Sequence, residues 1–134
     1  MATELNHMII PAKDKWASAR FLAQILGLPV APEWGPFVPI RTSNGVVLDF
    51  AEETEVRPMH CAFLVGDAEF DAALARLEAL GVTFYADFNK AGRGKVNRLY
   101  GGRGVYFDDP NGHLFELITK PYGATPERWI EGKS

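Results

Sequence analysis

The chain has 134 residues and a formal net charge of −3, with 47% hydrophobic and 23% charged residues. This length and composition are typical of one compact globular domain, and the acidic balance excludes nonspecific nucleic-acid binding, which needs a basic surface. A single cysteine, Cys61, excludes an intrachain disulfide and fits a reducing compartment.

The sequence contains no apolar run of about 18 residues, the length that predicts a membrane span. The first residues also lack the basic region and the apolar stretch of a signal peptide. We therefore expect a cytoplasmic protein that binds neither membranes nor nucleic acid.

The first half begins with an apolar run over residues 5–10, which is of strand length, and we expect Pro11 to end it. Asp14 is a helix-capping residue, and the pattern that follows predicts a helix to about Leu26, with Gly27 at its end. A stripe at helical spacing predicts the buried face. Its members are Ala17, Phe21, Leu22, Ile25 and Leu26.

The first half ends with a predicted hairpin. Residues 31–41 are rich in proline, which indicates an irregular approach to a strand at a sheet edge. Asn44-Gly45 predicts a tight turn, because this dipeptide tolerates the positive φ of hairpin turns. We expect a strand at 46–50, followed by an acidic linker at 51–57.

The second half restates this plan. A strand is predicted at 60–65, then a helix capped by Asp67 and ended by Gly81, then a strand at 82–85. The predicted buried face of this helix comprises Phe70, Ala73, Leu74, Leu77 and Leu80.

The second half is longer than the first because it holds a glycine-rich, basic stretch around residues 86–104. We interpret most of its charges as a solvated loop. Strands are predicted at 105–107 and 114–119, joined by the turn Asp109–Gly112. We expect the apolar tail, 120–134, to dock on the surface or on a partner.

The two halves repeat one unit. His60 follows His7 at the same distance that separates Asp67 from Asp14, which indicates duplication. Each copy is interpreted as strand–helix–strand–strand–strand, so we predict a single α+β domain of two βαβββ modules that form a curved mixed sheet. Module one spans 4–55, module two 56–120, and a C-terminal tail 121–134.

Each copy begins with a histidine and closes with a carboxylate. His7 and His60 are equivalent, and so are Asp49 and Glu116. If the copies pack about a twofold axis, two imidazoles and a carboxylate converge, a ligand set that suits Fe(II) and related divalent metals. We favour this over structural histidines, because a lone charge such as Glu116 within an apolar strand is costly.

Other polar side chains have more open roles. Asp49 is either a fourth ligand or a hydrogen-bonding residue beside the metal. Tyr106 either donates a hydrogen bond to substrate or packs in the core. His113 lies on the strand face opposite Glu116, where we expect it to stabilise the turn, and Cys61 is interpreted as a small buried residue.

These residues resemble the vicinal oxygen chelate superfamily, which includes glyoxalase I, extradiol dioxygenases, fosfomycin-resistance proteins and bleomycin-binding proteins. The resemblance covers about residues 4–120, and its most specific part is Asp109-Pro110-Asn111-Gly112-His113-x-x-Glu116-Leu117. It implies paired βαβββ modules, a metal held by His7, His60 and Glu116, and a homodimer. It also implies a substrate contact at Tyr106, by similarity to the fosfomycin enzymes.

The resemblance implies an enzyme in which a divalent metal (Fe, Mn, Zn or Ni) chelates two oxygens of a small substrate. A dioxygenase-like reaction fits a three-ligand set best, and glyoxalase I differs in having Glu where this chain has Asp49. Two alternatives stay open. One is a glyoxalase, lyase or thiol transferase; the other is a non-catalytic drug-sequestering protein, with Trp34, Phe37 and Tyr106 lining an aromatic pocket.

Overall fold

A computed structural model describes residues 2–122. The tail prediction for 121–134 therefore lies almost wholly outside the described residues. The chain divides into two compact units, the first running to Pro58 and including Asp109–Gly112, the second holding Met59–Asp108 and the chain from His113.

The first unit is a helix and a three-stranded sheet. Its elements are β1 (His7–Ala12), α1 (Lys15–Leu26), β2 (Phe37–Arg41) and β3 (Val47–Glu52). The strand order is β1-β3-β2, with β1 parallel and β2 antiparallel to the central β3. In β2 and β3 three consecutive residues are buried, at 38–40 and 48–50, so side chains on both faces of these two strands are covered.

Helix α1 begins and ends as the sequence predicts. The Asp14 side chain accepts a hydrogen bond from the Ala17 backbone N–H at 3.0 Å, and Gly27 closes the helix at φ 71°. The predicted buried face is only partly right, because Ala17 is exposed and Phe21 is half-buried. The buried residues are Ser18, Ala19, Leu22, Ala23 and Ile25.

Two strand boundaries in this unit differ from prediction. Pro11 does not end β1 but lies within it, opposite Ala51. This is possible because β1 is an edge strand, where a missing N–H leaves no partner unbonded. The strand predicted at 46–50 runs on to Glu52, which shortens the linker. The predicted Asn44-Gly45 turn is confirmed, with Gly45 at φ 86°.

The second unit carries one helix and a four-stranded sheet. Its elements are β4 (His60–Leu64), α2 (Asp67–Ala79), β5 (Phe84–Tyr85), a single 3₁₀ turn (Leu99–Gly101), β6 (Gly104–Asp108) and β7 (Leu114–Ile118). The strand order is β4-β7-β6-β5, with β4 parallel to β7 and the other pairs antiparallel.

The predicted cap of α2 is wrong. Gly66 occupies the N-cap position without a side-chain hydrogen bond, and Asp67 is the first helical residue. A carboxylate in the first turn still favours the helix, because it lies at the positive end of the helix dipole. Phe70, Ala73 and Leu77 are buried as predicted, whereas Leu80 is 42% exposed.

The α+β class and the duplicated strand–helix plan are confirmed. The first module has one strand fewer than predicted, since Val30 forms only an isolated bridge to Ile40 where the extra strand would begin. In residues 2–122 no helix has the length and apolar character needed to span a membrane.

Candidate functional site

Strand register places the two histidine–carboxylate pairs in equivalent positions. In the first unit His7 pairs with Val47 across β1 and β3, and Asp49 lies two residues further along β3. In the second unit His60 pairs with Leu114 across β4 and β7, and Glu116 lies two residues further along β7. Because successive side chains alternate between faces, each histidine shares a sheet face with its carboxylate.

In the second unit this register brings the two side chains into contact. His60 Nε2 lies 3.1 Å from Glu116 Oε1. The Glu116 side chain is only 8% exposed, whereas that of His60 is 35% exposed. A buried carboxylate therefore has a partly open imidazole beside it, so a ligand can reach the pair from the His60 side.

The other nitrogen of His60 faces the backbone carbonyl of Leu114, with Nδ1 2.8 Å from the oxygen. A carbonyl only accepts, so Nδ1 carries the proton and donates it. In the neutral ring Nε2 then presents a lone pair towards the carboxylate. Nε2 of the neutral ring and the Glu116 carboxylate are then both electron-pair donors, and the Leu114 carbonyl orients the imidazole. This combination is typical of a metal-binding site.

Tyr106 lies on β6 opposite Glu116 and donates a hydrogen bond to its carboxylate. Burial, the negative charge of Glu116 and this hydrogen bond together raise the pKa of Tyr106 above its ordinary value. The phenol is therefore a proton donor throughout the neutral range. Its ring also stacks on that of His60, with 6.1 Å between centroids.

Phe88 is a site residue that the sequence did not single out. Its ring meets His60 edge-on with 5.2 Å between centroids, and Tyr106 at 6.0 Å. Phe88 is nevertheless 59% exposed. An exposed aromatic side chain against a candidate ligand forms an apolar wall of the site. The sequence signal that could have identified Phe88 is the presence of an aromatic residue within the polar 86–104 loop.

Two of the basic side chains in that loop are held by ion pairs. Lys90 Nζ lies 2.5 Å from Asp108 Oδ2, and this contact raises the pKa of Lys90. Arg103 Nη1 lies 2.7 Å from Asp71 Oδ1, and its Nη2 lies 3.1 Å from Asp67 Oδ1. Lys90 and Arg103 are therefore structural, and the solvated role interpreted for most charges of the loop stays a prediction.

His7, the third predicted ligand, lies in the first unit at the start of β1. Its Nδ1 donates to the Asn6 side-chain oxygen at 2.7 Å, so in the neutral ring Nε2 carries the lone pair. Among residues 2–122, no three His, Cys, Asp or Glu side chains are grouped closely enough to hold a metal ion. The three-residue ligand set therefore stays a prediction.

Asp49 is buried, with 4% exposure, and its Oδ1 has no hydrogen-bond partner. It borders a cleft of about 520 Å³ on the first unit. The cleft is lined by Asn6, His7, Ala31, Pro32, Trp34, Pro39, Arg41, Val47 and Asp49. Trp34 and Phe37 pack together with ring centroids 5.8 Å apart, but only Trp34 borders the cleft.

The remaining polar candidates are structural. His113 is fully buried, and its Nδ1 accepts a hydrogen bond from the Met59 N–H at 3.0 Å, so it fixes the start of β4. The adjoining turn is confirmed: Asn111 Oδ1 accepts from the Lys13 N–H at 2.8 Å. Cys61 is half-buried and lies one residue from His60, on the other face of β4.

Comparison with known proteins identifies the family. Residues 7–118 match the glyoxalase-like domain. The chain is 30% identical to the glutathione transferase FosA of Serratia marcescens over 124 residues, covering 87% of this chain and 81% of FosA.

Solved structures give the same result. The oxidase ChaP-H2 is 49% identical with a TM-score of 0.90, over 92% of this chain and 98% of the oxidase. The oxidase ChaP-H1 is 50% identical with a TM-score of 0.88, over 91% and 99%. The fosfomycin resistance protein FosX of Listeria monocytogenes, at 24% identity and a TM-score of 0.72 over 96% and 99%, shares the fold. The chain therefore belongs to the glyoxalase-like family of the vicinal oxygen chelate superfamily.

Proposed function

We propose that this protein is a metal-dependent oxidase or dioxygenase that acts on a small substrate with two neighbouring oxygens. The observation that carries the proposal is the His60–Glu116 pair, in which Nε2 of a partly exposed imidazole lies 3.1 Å from a buried carboxylate oxygen. About 50% identity to two oxidases supports oxygen chemistry.

The proposed metal ligands are His60, Glu116 and His7, with His7 supplied by the same chain or by a second copy. A divalent metal bound there would act as a Lewis acid that polarises the chelated oxygens of the substrate. In both histidines Nδ1 is engaged by an oxygen, from Leu114 or Asn6, so Nε2 is the atom available for coordination.

The surrounding residues orient this site. Tyr106 donates to Glu116, which restricts the rotation of the carboxylate. When a bound ligand engages the Glu116 carboxylate, the Tyr106 hydroxyl can donate its hydrogen bond to a substrate oxygen instead. Phe88 packs against the His60 ring, and excluding water there strengthens electrostatic interactions within the site.

The test combines metal analysis with oxygen uptake. We expect the purified protein to contain one equivalent of a divalent metal and to consume oxygen with a catechol after loading with Fe(II). Cys61→Ala is the matched control, because it changes a potential ligand adjacent to His60 on the opposite strand face. The proposal is ruled out if the purified protein lacks stoichiometric metal and the His60→Ala variant binds ligand as well as wild type. That result would favour a sequestering protein.

A second candidate function is thiol transfer, favoured by the 30% identity to the glutathione transferase FosA. Tyr106 supports it as well, because its hydroxyl lies beside a proposed metal ligand and can donate to an anionic substrate. Loss of free glutathione in the presence of fosfomycin and Mn(II), without oxygen uptake, would select this function over the first.

We also propose that the protein is a homodimer of the cytoplasm, as the family resemblance and the single cysteine suggest. Sedimentation at micromolar concentration tests the first part, with a monomer as the contrary result. Cell fractionation tests the second.

A further inference from the structure

Residues 84–94 form a hairpin that continues from β5. The Ala86 N–H donates to the Gly92 carbonyl at 3.0 Å. Nearer the tip, the Lys90 N–H donates to the Asp87 carbonyl at 2.9 Å and closes a tight turn. These backbone hydrogen bonds fix the shape of the tip independently of its side chains, so the side chains are available for contacts elsewhere.

A row of side chains crosses the second sheet from His60 to Asp108. Leu114 on β7 lies opposite His60 on β4 and opposite Asp108 on β6. Residues paired in this way point to the same face of a sheet, and so does Glu116, two residues along β7. Neighbouring strands lie about 4.8 Å apart, so the backbones of β4 and β6 are about 10 Å apart.

The hairpin tip contacts both ends of this row. At one end the Phe88 ring meets His60 with 5.2 Å between centroids. At the other end Lys90 Nζ forms an ion pair with Asp108 Oδ2 at 2.5 Å. Phe88 and Lys90 belong to the same tight turn, so the ion pair at Asp108 determines where the Phe88 ring lies at His60.

Lys90 has a backbone conformation that favours glycine. Its φ is 67°, the left-handed conformation that closes hairpin loops of this kind and that glycine usually supplies. A residue with a side chain adopts this conformation at a cost in free energy. Glycine would avoid the cost but would carry no ammonium group, so the conformation of Lys90 indicates that its side chain is needed at the tip.

The contacts that hold the tip are individually weak. Phe88 is 59% exposed, so packing against His60 covers only part of its apolar surface, and stabilisation follows the area covered. The side chains of Lys90 and Asp108 are 48% and 35% exposed, and exposed ion pairs are weak and are screened by salt. Loss of the ion pair should therefore release the ring without unfolding the protein.

We propose that the Lys90–Asp108 ion pair positions Phe88 against His60, where the ring forms an apolar wall of the candidate site. Lys90 and Asp108 are positioning residues, because they act on the site through the Phe88 ring. The inference rests on the proposed function, in which His60 is a metal ligand, and it identifies what keeps that side of His60 covered.

Acylation by diethyl pyrocarbonate measures access to His60 directly. The chain has three histidines, and peptide mapping follows each one separately; His7 is exposed and His113 is fully buried. The full chain is first dialysed against a chelator, so that bound metal does not protect His60. We expect His60 to react about two- to fivefold faster in Lys90→Met than in wild type, the range typical of losing an exposed ion pair.

Matched variants separate positioning from a general change in structure. Asp108→Asn should accelerate His60 as Lys90→Met does, whereas the charge-exchanged variant, Lys90→Asp with Asp108→Lys, should return the rate towards that of wild type. Lys95→Met removes an exposed lysine of the same loop and should leave the rate unchanged. His7 serves as the internal standard, and an unreactive His113 shows that the second unit remains folded.

Phe88→Ala tests whether the ion pair acts through the ring. It should accelerate His60, and adding Lys90→Met to it should cause no further acceleration, because no ring remains to be positioned. About 1 M salt should accelerate His60 in wild type but not in Lys90→Met, a measurement that needs no variant to fold. Equal His60 rates in wild type at low and high salt and in both single variants, or further acceleration in the double variant, would overturn the inference.

Metal content and oxygen uptake on the same variants distinguish this inference from the proposed function. In active protein, Lys90→Met should raise KM and leave kcat unchanged, because the proposed metal ligands stay in place. Faster acylation in Lys90→Met, in a protein that neither binds metal nor consumes oxygen, would support the positioning role and defeat the proposed function. Metal-dependent oxygen uptake with unchanged acylation rates would defeat the positioning role alone.

Discussion

His60 and Glu116 face each other across β4 and β7 with Nε2 3.1 Å from Oε1, while the far side of the imidazole is bound to the Leu114 carbonyl. The carbonyl fixes a proton on Nδ1, so in the neutral ring the nitrogen that faces the carboxylate carries the lone pair that a metal would use. This relationship gives the proposed metal site its most specific structural support, and it defines the first prediction.

Changing either member of this pair should weaken metal binding. His60→Ala removes the imidazole and Glu116→Gln replaces the carboxylate with a poorer ligand, so each should lower metal affinity by at least about tenfold. Metal content after dialysis against a buffered chelator measures the effect. Full retention of metal in both variants, alongside the Cys61→Ala control, would contradict the assignment.

Tyr106→Phe should separate activity from metal binding. The ring is retained, so stacking on His60 is preserved, but Glu116 loses its hydrogen-bond donor. We expect stoichiometric metal and a kcat lower by about tenfold, with Tyr85→Phe on the neighbouring strand as the matched control. A kcat equal to that of wild type would show that the hydroxyl has no role in the reaction.

Phe88→Ala should act on substrate binding. Phe88 is 59% exposed, so its loss should change the free energy of unfolding by less than about 0.5 kcal/mol. Because its ring packs against His60, we expect KM to rise severalfold. Leu80→Ala, at another exposed apolar position, serves as the control. If both variants give the wild-type KM, Phe88 is not part of the site.

Asp14→Ala should destabilise the first unit. The Asp14 carboxylate accepts from the Ala17 N–H at 3.0 Å, and losing such a cap costs about 1 kcal/mol. Urea unfolding followed by circular dichroism should show a lower midpoint, with Glu53→Ala close to wild type. An unchanged midpoint would mean that solvent replaces the cap without cost.

Much of the fold could be predicted because its signals are local. The Asp14 cap, the Gly27 helix end and the Asn44-Gly45 turn each depend on a few adjacent residues, and all were predicted correctly. The duplication also predicted that the histidine and acid of each half are equivalent. The register of β1 with β3 and of β4 with β7 confirms this equivalence.

The errors arose where a residue's environment depends on distant parts of the chain. Pro11 continues β1 because that strand lies at a sheet edge, and edge position is set by pairing with residues far along the chain. The buried face of α1 includes Ser18, whose hydroxyl accepts from Asn111 Nδ2 at 2.7 Å. Helical periodicity cannot anticipate a polar partner supplied by a turn between β6 and β7.

By itself, the sequence determined the α+β class, the family and the candidate residues His7, His60, Glu116 and Tyr106. It could do so because periodicity, turns and motifs each depend on residues that are close together in the chain. Only the tertiary structure decided which side chains these residues contact. Strand register and ring orientation bring His60 to Glu116, and the hairpin of residues 84–94 brings Phe88 to His60. Hydrogen-bond partners depend on distances between atoms far apart in sequence, which only packing of the strands establishes.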